Sequence, residues 1–286
     1  MDDTTLVAWD DTPSAEAALD WALEREGLRG GTVCLVHVID EHGRRHDHDL
    51  HRATAAVDAA AERARAAAPG PSVTTVVRLG DPLDELLRVG DPATVLAVGT
   101  HPRGRRLRLG WSIGARLAAS ATGPVAIVPL EPATGRTGVV AGFDGTPESI
   151  VALDFAAEEA GLRRQHLHVV HAWIEPMLLE GQPAVHPQLV ELLEEESQQI
   201  LAGAVERLAL DHPALAVEAH SLHGTPATAL LRAGETASLI VVGNRGLVGI
   251  RRILLGSVSH EVVVGIDCPT IVVGHGAHTV DAVGAG

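Results

Sequence analysis

The chain has 286 residues, 46% of them hydrophobic and 21% charged, enough for about two globular domains of ~150 residues rather than a disordered polymer. Lys and Arg number 22 against 37 Asp and Glu, a net charge of −15 with a pI near 5.4, which argues against nonspecific binding of nucleic acid or of an anionic membrane. Aromatic residues are 2% with no Tyr, so single-stranded nucleic acid has no stacking platform. No apolar run approaches the ~18 residues of a spanning helix, and Met1-Asp2-Asp3 does not read as the opening of a secretory signal. Two cysteines far apart in sequence, Cys34 and Cys268, give no disulfide framework, so a cytoplasmic protein is expected.

Read in chain order, one unit occurs twice. Leu6-Val-Ala-Trp-Asp10-Asp-Thr12-Pro13, followed by Ala18-Leu19-Asp20-Trp-Ala22, returns as Val140-Ala-Gly-Phe-Asp144-Gly-Thr146-Pro147, followed by Ala152-Leu153-Asp154-Phe-Ala156, at an offset of 134. Val36-His37 pairs with Val170-His171 at the same offset. Gly80-Asp-Pro82 through Gly99 matches Gly224-Thr-Pro226 through Gly243 at 144, and Pro124 to Val128 matches Pro269 to Val273 at 145. The drift places about 10 extra residues in the second copy, between its second and third strands. Such internal repetition is the first thing to settle in a fold assignment.

In the second copy, 137–143 is an apolar strand ending at Asp144. Thr146 caps a helix that starts at Pro147 and runs through Glu159. Further strands are predicted over 166–172, 214–221, 239–242 and 270–273. Helices are predicted over 188–208, where Leu189, Leu192, Leu193, Ile200, Leu201, Val205 and Leu208 keep a 3.6-residue period, and over 226–233 and 257–264. Buried strands alternating with helices imply α/β domains with parallel sheets and right-handed crossovers. The expected domains are residues 1–131 and 138–276, joined by the linker Glu131 to Thr137 and followed by a flexible Gly/Ala-rich tail, 277–286.

The most specific feature follows the fourth strand of the second copy: Gly243-Asn-Arg-Gly246, nine residues, then Gly256-Ser257. Glycines let backbone amides approach a ligand, and a helix N-terminus favours negative charge. With the Ser257 hydroxyl they form a cradle suited to phosphates. Asp144, at the carboxyl end of the first strand, would face the same crevice and can bond a ribose hydroxyl or a metal. The alternative is that the glycines make a turn and Ser257 caps a helix.

At these residues the sequence resembles the universal stress protein family in its tandem, two-domain form. The signature Gly-two residues-Gly-nine residues-Gly-Ser/Thr of its ATP-binding members is matched at Gly243, Gly246, Gly256 and Ser257. Asp144-Gly-Thr-Pro147, His168-Val-Val-His-Ala-Trp173 and Gly224-Thr-Pro226 are similar to the family as well. The resemblance implies two tandem Rossmann-like domains, each an open five-stranded parallel sheet of order 3-2-1-4-5. It implies ATP, with magnesium on its phosphates, as cofactor. The adenine would lie near Val170, the ribose near Asp144 and the phosphates on Gly246, Gly256, Ser257 and Ser259. Thr146, Gly224 and Arg245 complete the candidate set; Arg251 and Arg252 share Arg245's loop, and any of the three can reach a terminal phosphate.

The first copy departs from this pattern. Pro102 stands where the second glycine belongs and Trp111-Ser112 lies opposite Gly256-Ser257, removing an amide donor and adding bulk. Its nucleotide motif is therefore read as degenerate, although Gly104, Gly110 and Gly114 offer a looser register. Arg103, Arg105, Arg106 and Arg108 in that loop read as a solvated cationic segment more than as a phosphate grip. His42, His46, His48 and His51, with Asp47 and Asp49, have metal-ligand chemistry, but adventitious metal uptake is the favoured reading. His37 and His171 are expected as packed, hydrogen-bonded histidines, Trp9 and Trp173 as packing groups, and Cys268 as a buried inert thiol. Neither loop holds a Walker-type lysine. The expected protein is a stress-response regulator that binds ATP and is not an efficient enzyme; a slow magnesium-dependent ATP hydrolase and a nucleotide-free scaffold are the alternatives. The two domains are expected to pair within the chain, through the strands at Pro124–Val128 and Pro269–Val273, with homodimerisation left open.

Overall fold

A computed structural model describes residues 4–40, 46–100, 112–132, 134–175, 187–244, 257–265 and 267–274. The chain divides into two compact units, one centred on each repeat.

The first repeat runs β1 (Thr4–Ala8), α1 (Pro13–Arg29), β2 (Thr32–Ile39), α2 (His46–Ala67), β3 (Ser72–Leu79), α3 (Pro82–Val89), β4 (Val95–Thr100), α4 (Ile113–Ser120) and β5 (Val125–Pro129). The second runs β6 (Val139–Gly142), α5 (Pro147–Arg163), β7 (Leu167–Trp173), α6 (Pro187–Asp211), β8 (Val217–His223), α7 (Pro226–Gly234), β9 (Leu239–Gly243), α8 (Ser257–Gly265) and β10 (Thr270–Val273). The strand orders are β3-β2-β1-β4-β5 and β8-β7-β6-β9-β10, the 3-2-1-4-5 order expected in each. The strand pairs around β1 and β6 are parallel.

The central strands are apolar on both faces because helices cover both. Val7, Leu35, Ile127, Val139, Leu167, Leu239 and Ile271 are almost wholly buried. Thr12 and Thr146 cap α1 and α5, accepting from the amides of Ala15 at 3.3 Å and Ser149 at 3.4 Å, each cap worth about 1 kcal/mol. Pro follows each cap, where its missing N–H costs nothing. The buried charges are solved differently in the two repeats. Arg25 bonds Glu26 at 2.5 Å beside Thr5, whereas Glu159 holds Arg163 one turn along α5 at 3.5 Å.

Two strands of the second repeat begin two or more residues later than expected. β8 begins at Val217 rather than 214, because the Leu215 amide closes a turn on His212 at 3.0 Å. β6 begins at Val139 because Gly138 has φ +94, a left-handed conformation outside the strand region.

Candidate functional site

From β6 the chain moves outward to β7 and β8, then returns on the other side of β6 as β9. The order therefore reverses between β6 and β9, and in open parallel sheets a ligand crevice lies beyond the strand carboxyl ends at such a point. Asp144 follows β6 and Gly243 ends β9; the paired Ala141 and Val241 set these two strand ends side by side.

Asp144 is exposed, and its Oδ1 accepts from the Thr146 amide at 3.1 Å and the Thr146 hydroxyl at 2.5 Å. Its own amide donates to Ser149 Oγ at 3.3 Å. Gly145 between them has φ +77, which an L side chain resists. The result is a rigid acidic turn at the N-terminus of α5, where a carboxylate is electrostatically favoured.

Beneath it His171 Nδ1 lies 2.7 Å from Ser197 Oγ, which lies 2.7 Å from Ser221 Oγ, and Trp173 Nε1 donates to Ser221 at 3.1 Å. Burial lowers the His171 pKa below 6.5, against the opposing pull of Asp144 and Glu196. This is the packed, hydrogen-bonded imidazole expected from sequence. The serine relay was missed; the register that sets His171 opposite Ser221 is a signal a strand-pairing argument could have used, whereas Ser197 on α6 left none.

Val170 is buried, and its carbonyl accepts the Phe143 amide at 2.9 Å. Gly224, at φ +130, donates its amide to the Trp173 carbonyl at 2.9 Å and leads into Thr225, the cap of α7. Gly243 and Ser259 belong to packing: a Cβ on Gly243 would stand 2.6 Å from the Glu148 carbonyl oxygen, and the buried Ser259 hydroxyl donates to the Gly243 carbonyl at 3.0 Å. Ser259 is thus a clamp between α8 and β9. Ser257 opens α8 and is exposed. Arg245, Gly246 and Gly256 lie outside the described residues, as do Arg251 and Arg252.

The first repeat builds the same turn. Asp10 Oδ1 accepts from Thr12 N at 3.2 Å and Thr12 Oγ1 at 2.5 Å, and a Cβ on Gly99 would stand 1.9 Å from the Ser14 carbonyl oxygen. Ser112, the counterpart of Ser257, caps α4 by accepting from the Ala115 amide at 3.2 Å. His37 Nδ1 meets the Trp9 carbonyl at 2.8 Å instead of a serine. Cys268 is buried, and desolvation raises its thiol pKa to about 11. Pro102, Arg103, Gly104, Arg105, Arg106, Arg108, Gly110 and Trp111 lie outside the described residues, and so does His42.

The family profile described as the universal stress protein family matches residues 1–129 and again 136–274. A universal stress protein of Mycobacterium tuberculosis is 28% identical over 93% of this chain and 95% of its own length, and one of Mycolicibacterium smegmatis is 29% identical over 94% and 96%. Among solved structures, a universal stress protein of Archaeoglobus fulgidus superposes with a TM-score of 0.69 over 96% of this chain and 98% of its own, at 18% identity, and so shares the fold. With both repeats matched by one profile, the chain belongs to the universal stress protein family.

Proposed function

We propose that the chain is a regulatory nucleotide binder whose second repeat holds ATP, with magnesium on the phosphates, at the β6/β9 switch point. The observation that carries this reading is the exposed Asp144-Gly145-Thr146 turn, its carboxylate fixed by two hydrogen bonds at the point where the strand order reverses. A carboxylate so fixed suits a ribose hydroxyl. Val170 and Gly224 would flank the base, and the phosphates would take the amides of Gly246 and Gly256 and the Ser257 hydroxyl at the start of α8, with Arg245 toward the terminal phosphate. These groups grip ground-state ATP about as well as a developing charge. Hydrolysis is therefore expected below about one turnover per second, under the range of typical enzymes.

A nucleotide-free interaction scaffold is the competing reading, and it draws on Gly243 and Ser259, whose identities packing already accounts for. Heat release from the purified chain followed by chromatography, with magnesium-ATP calorimetry, separates the two. One adenine nucleotide per chain is expected. Two equivalent sites would refute the assignment to the second repeat, and no bound nucleotide with no heat would leave the scaffold. Turnover above one per second that disappears in Asp144→Asn would make the protein an enzyme.

A further inference from the structure

The second repeat carries a cluster of imidazole and carboxylate groups away from the crevice, at the start of β7 and β8. We propose that His168, Glu218 and His220 form a divalent metal site of the zinc type. Their ligand atoms lie within 4.8 Å of one another. His168 Nδ1 is 3.1 Å from His220 Nε2 and 3.5 Å from Glu218 Oε2, and the last two are 3.9 Å apart. Zinc bonds of 2.0–2.1 Å at tetrahedral angles give ligand separations of about 3.4 Å, so the three groups already stand near the edges of one coordination tetrahedron.

Strand geometry explains the convergence. His168 is opposite Glu218 in register and Val170 is opposite His220; with period-two alternation, all three ligands share one sheet face. Gly138 makes room for the His168 ring, since a Cβ there would fall 3.0 Å from both Cδ2 and Nε2. The Nε2 edge thus lies against Gly138, and Nδ1 is turned to the cluster. His166 Nδ1 holds the other Glu218 oxygen, Oε1, at 3.2 Å, the kind of outer contact that orients a ligating carboxylate. Side-chain exposures of 29%, 51% and 38% for His168, Glu218 and His220 leave the cluster open to ions from solvent.

Two nitrogens and one carboxylate oxygen suit zinc and its copper and nickel neighbours, whereas magnesium and calcium select oxygen ligands. A fourth position remains for water. His168 precedes the end of β7 at Trp173 by five residues, about 16 Å of strand, so the site is separate from the candidate nucleotide crevice. Ligation across β7 and β8 would pin the outer strand of this sheet to its neighbour.

The test uses the untagged full chain, stripped with chelator and titrated with zinc chloride, with bound metal counted by elemental analysis and affinity read by calorimetry. One zinc is expected whose affinity falls at least about 100-fold in His168→Asn and in His220→Asn, and about tenfold in His166→Ala. A quadruple variant at His42, His46, His48 and His51 keeps it. Cobalt(II) on the unsubstituted chain should give the strong visible absorption of a four-coordinate site, bleached by one equivalent of zinc; this readout stands even if a variant misfolds. Zinc uptake unchanged by His220→Asn, uptake lost wholly in the quadruple variant, or a weak octahedral cobalt spectrum would each overturn the proposal.

Discussion

Superimposed by sequence, the strand pairs β2/β3 and β7/β8 have one register and two chemistries. In the first repeat Cys34 is opposite Thr74 and Val36 opposite Val76; in the second, the same positions hold His168 opposite Glu218 and Val170 opposite His220. The backbone tolerates either set because alternation decides only which face a residue occupies. The same contrast holds at the crevice. Both repeats build the Asp-x-Thr turn and the close approach of a fourth-strand glycine to a helix N-terminus. They part at loop residues, Pro102 and Trp111 in one, Gly246 and Gly256 in the other. Duplicated scaffold devices are thus shared, while the residues of the proposed ligand chemistry sit at positions the scaffold leaves unconstrained.

The largest expected effect tests the shared half of that comparison. Gly99→Ala and Gly243→Ala each drive a methyl into main chain that cannot move cheaply, at 1.9 Å from Ser14 and 2.6 Å from Glu148. Each should cost about 3 kcal/mol or more, Gly99→Ala the greater, in urea melts followed by circular dichroism. An equal and negligible loss would show that packing does not dictate these glycines.

The next effect tests the half that differs. Gly246→Pro should weaken ATP binding by about 100-fold or more, because it removes an amide and locks φ, while Pro102→Gly should leave affinity unchanged. Calorimetry on both variants decides. If Pro102→Gly creates a second site, the degenerate loop was the only barrier in the first repeat.

Much of this was legible in the sequence. The duplication, the element order and the capped turns follow from strong local signals: apolar runs, Thr-Pro and Asp-Pro at helix starts, and an offset that stays constant across each block. The proposed metal cluster was not legible as one, because the pair His166 and His168 lies 52 residues from the pair Glu218 and His220 and only the β7/β8 register joins them. The His42–His51 run, contiguous in sequence, drew attention instead. The packing duty of Gly243 was hidden for a similar reason. Its partner, Glu148, lies on a helix far back in the chain, and the motif containing Gly243 offered a ready functional explanation. Ser259 carries the same ambiguity, since in sequence a hydroxyl near a glycine loop looks the same whether it donates to a phosphate or to a carbonyl.

A smaller effect sets the two acidic turns against each other. Asp11 holds φ +60 where the second repeat has Gly145 at φ +77. Gly145→Ala should cost about 1 kcal/mol, because alanine meets the left-handed penalty without a side chain that bonds locally. Asp11→Gly should change stability by less than about 0.5 kcal/mol. Relief of the left-handed strain is offset by the freer unfolded chain. Thermal melts of the two variants should therefore diverge, and matching losses would mean that the turns are not equivalent.

The smallest effect concerns the imidazole beneath the crevice. Burial holds the His171 pKa below its ordinary 6.5 even though Asp144 and Glu196 pull it upward. As pH falls through about 6.5 the unfolded chain takes up this proton before the folded one does, so stability declines with falling pH until the folded pKa is passed, and is restored as pH rises. The ring is only half-buried, so this contribution is the smallest of the expected effects. His171→Asn, which keeps a polar group toward Ser197, should flatten that part of the profile. Asp144→Asn should lower the pKa of His171 further in an NMR titration, because the first of the two opposing charges is gone. A rise in that variant would mean that Asp144 does not act on His171 through space, and the acidic turn and the serine relay would then be independent features of the second repeat.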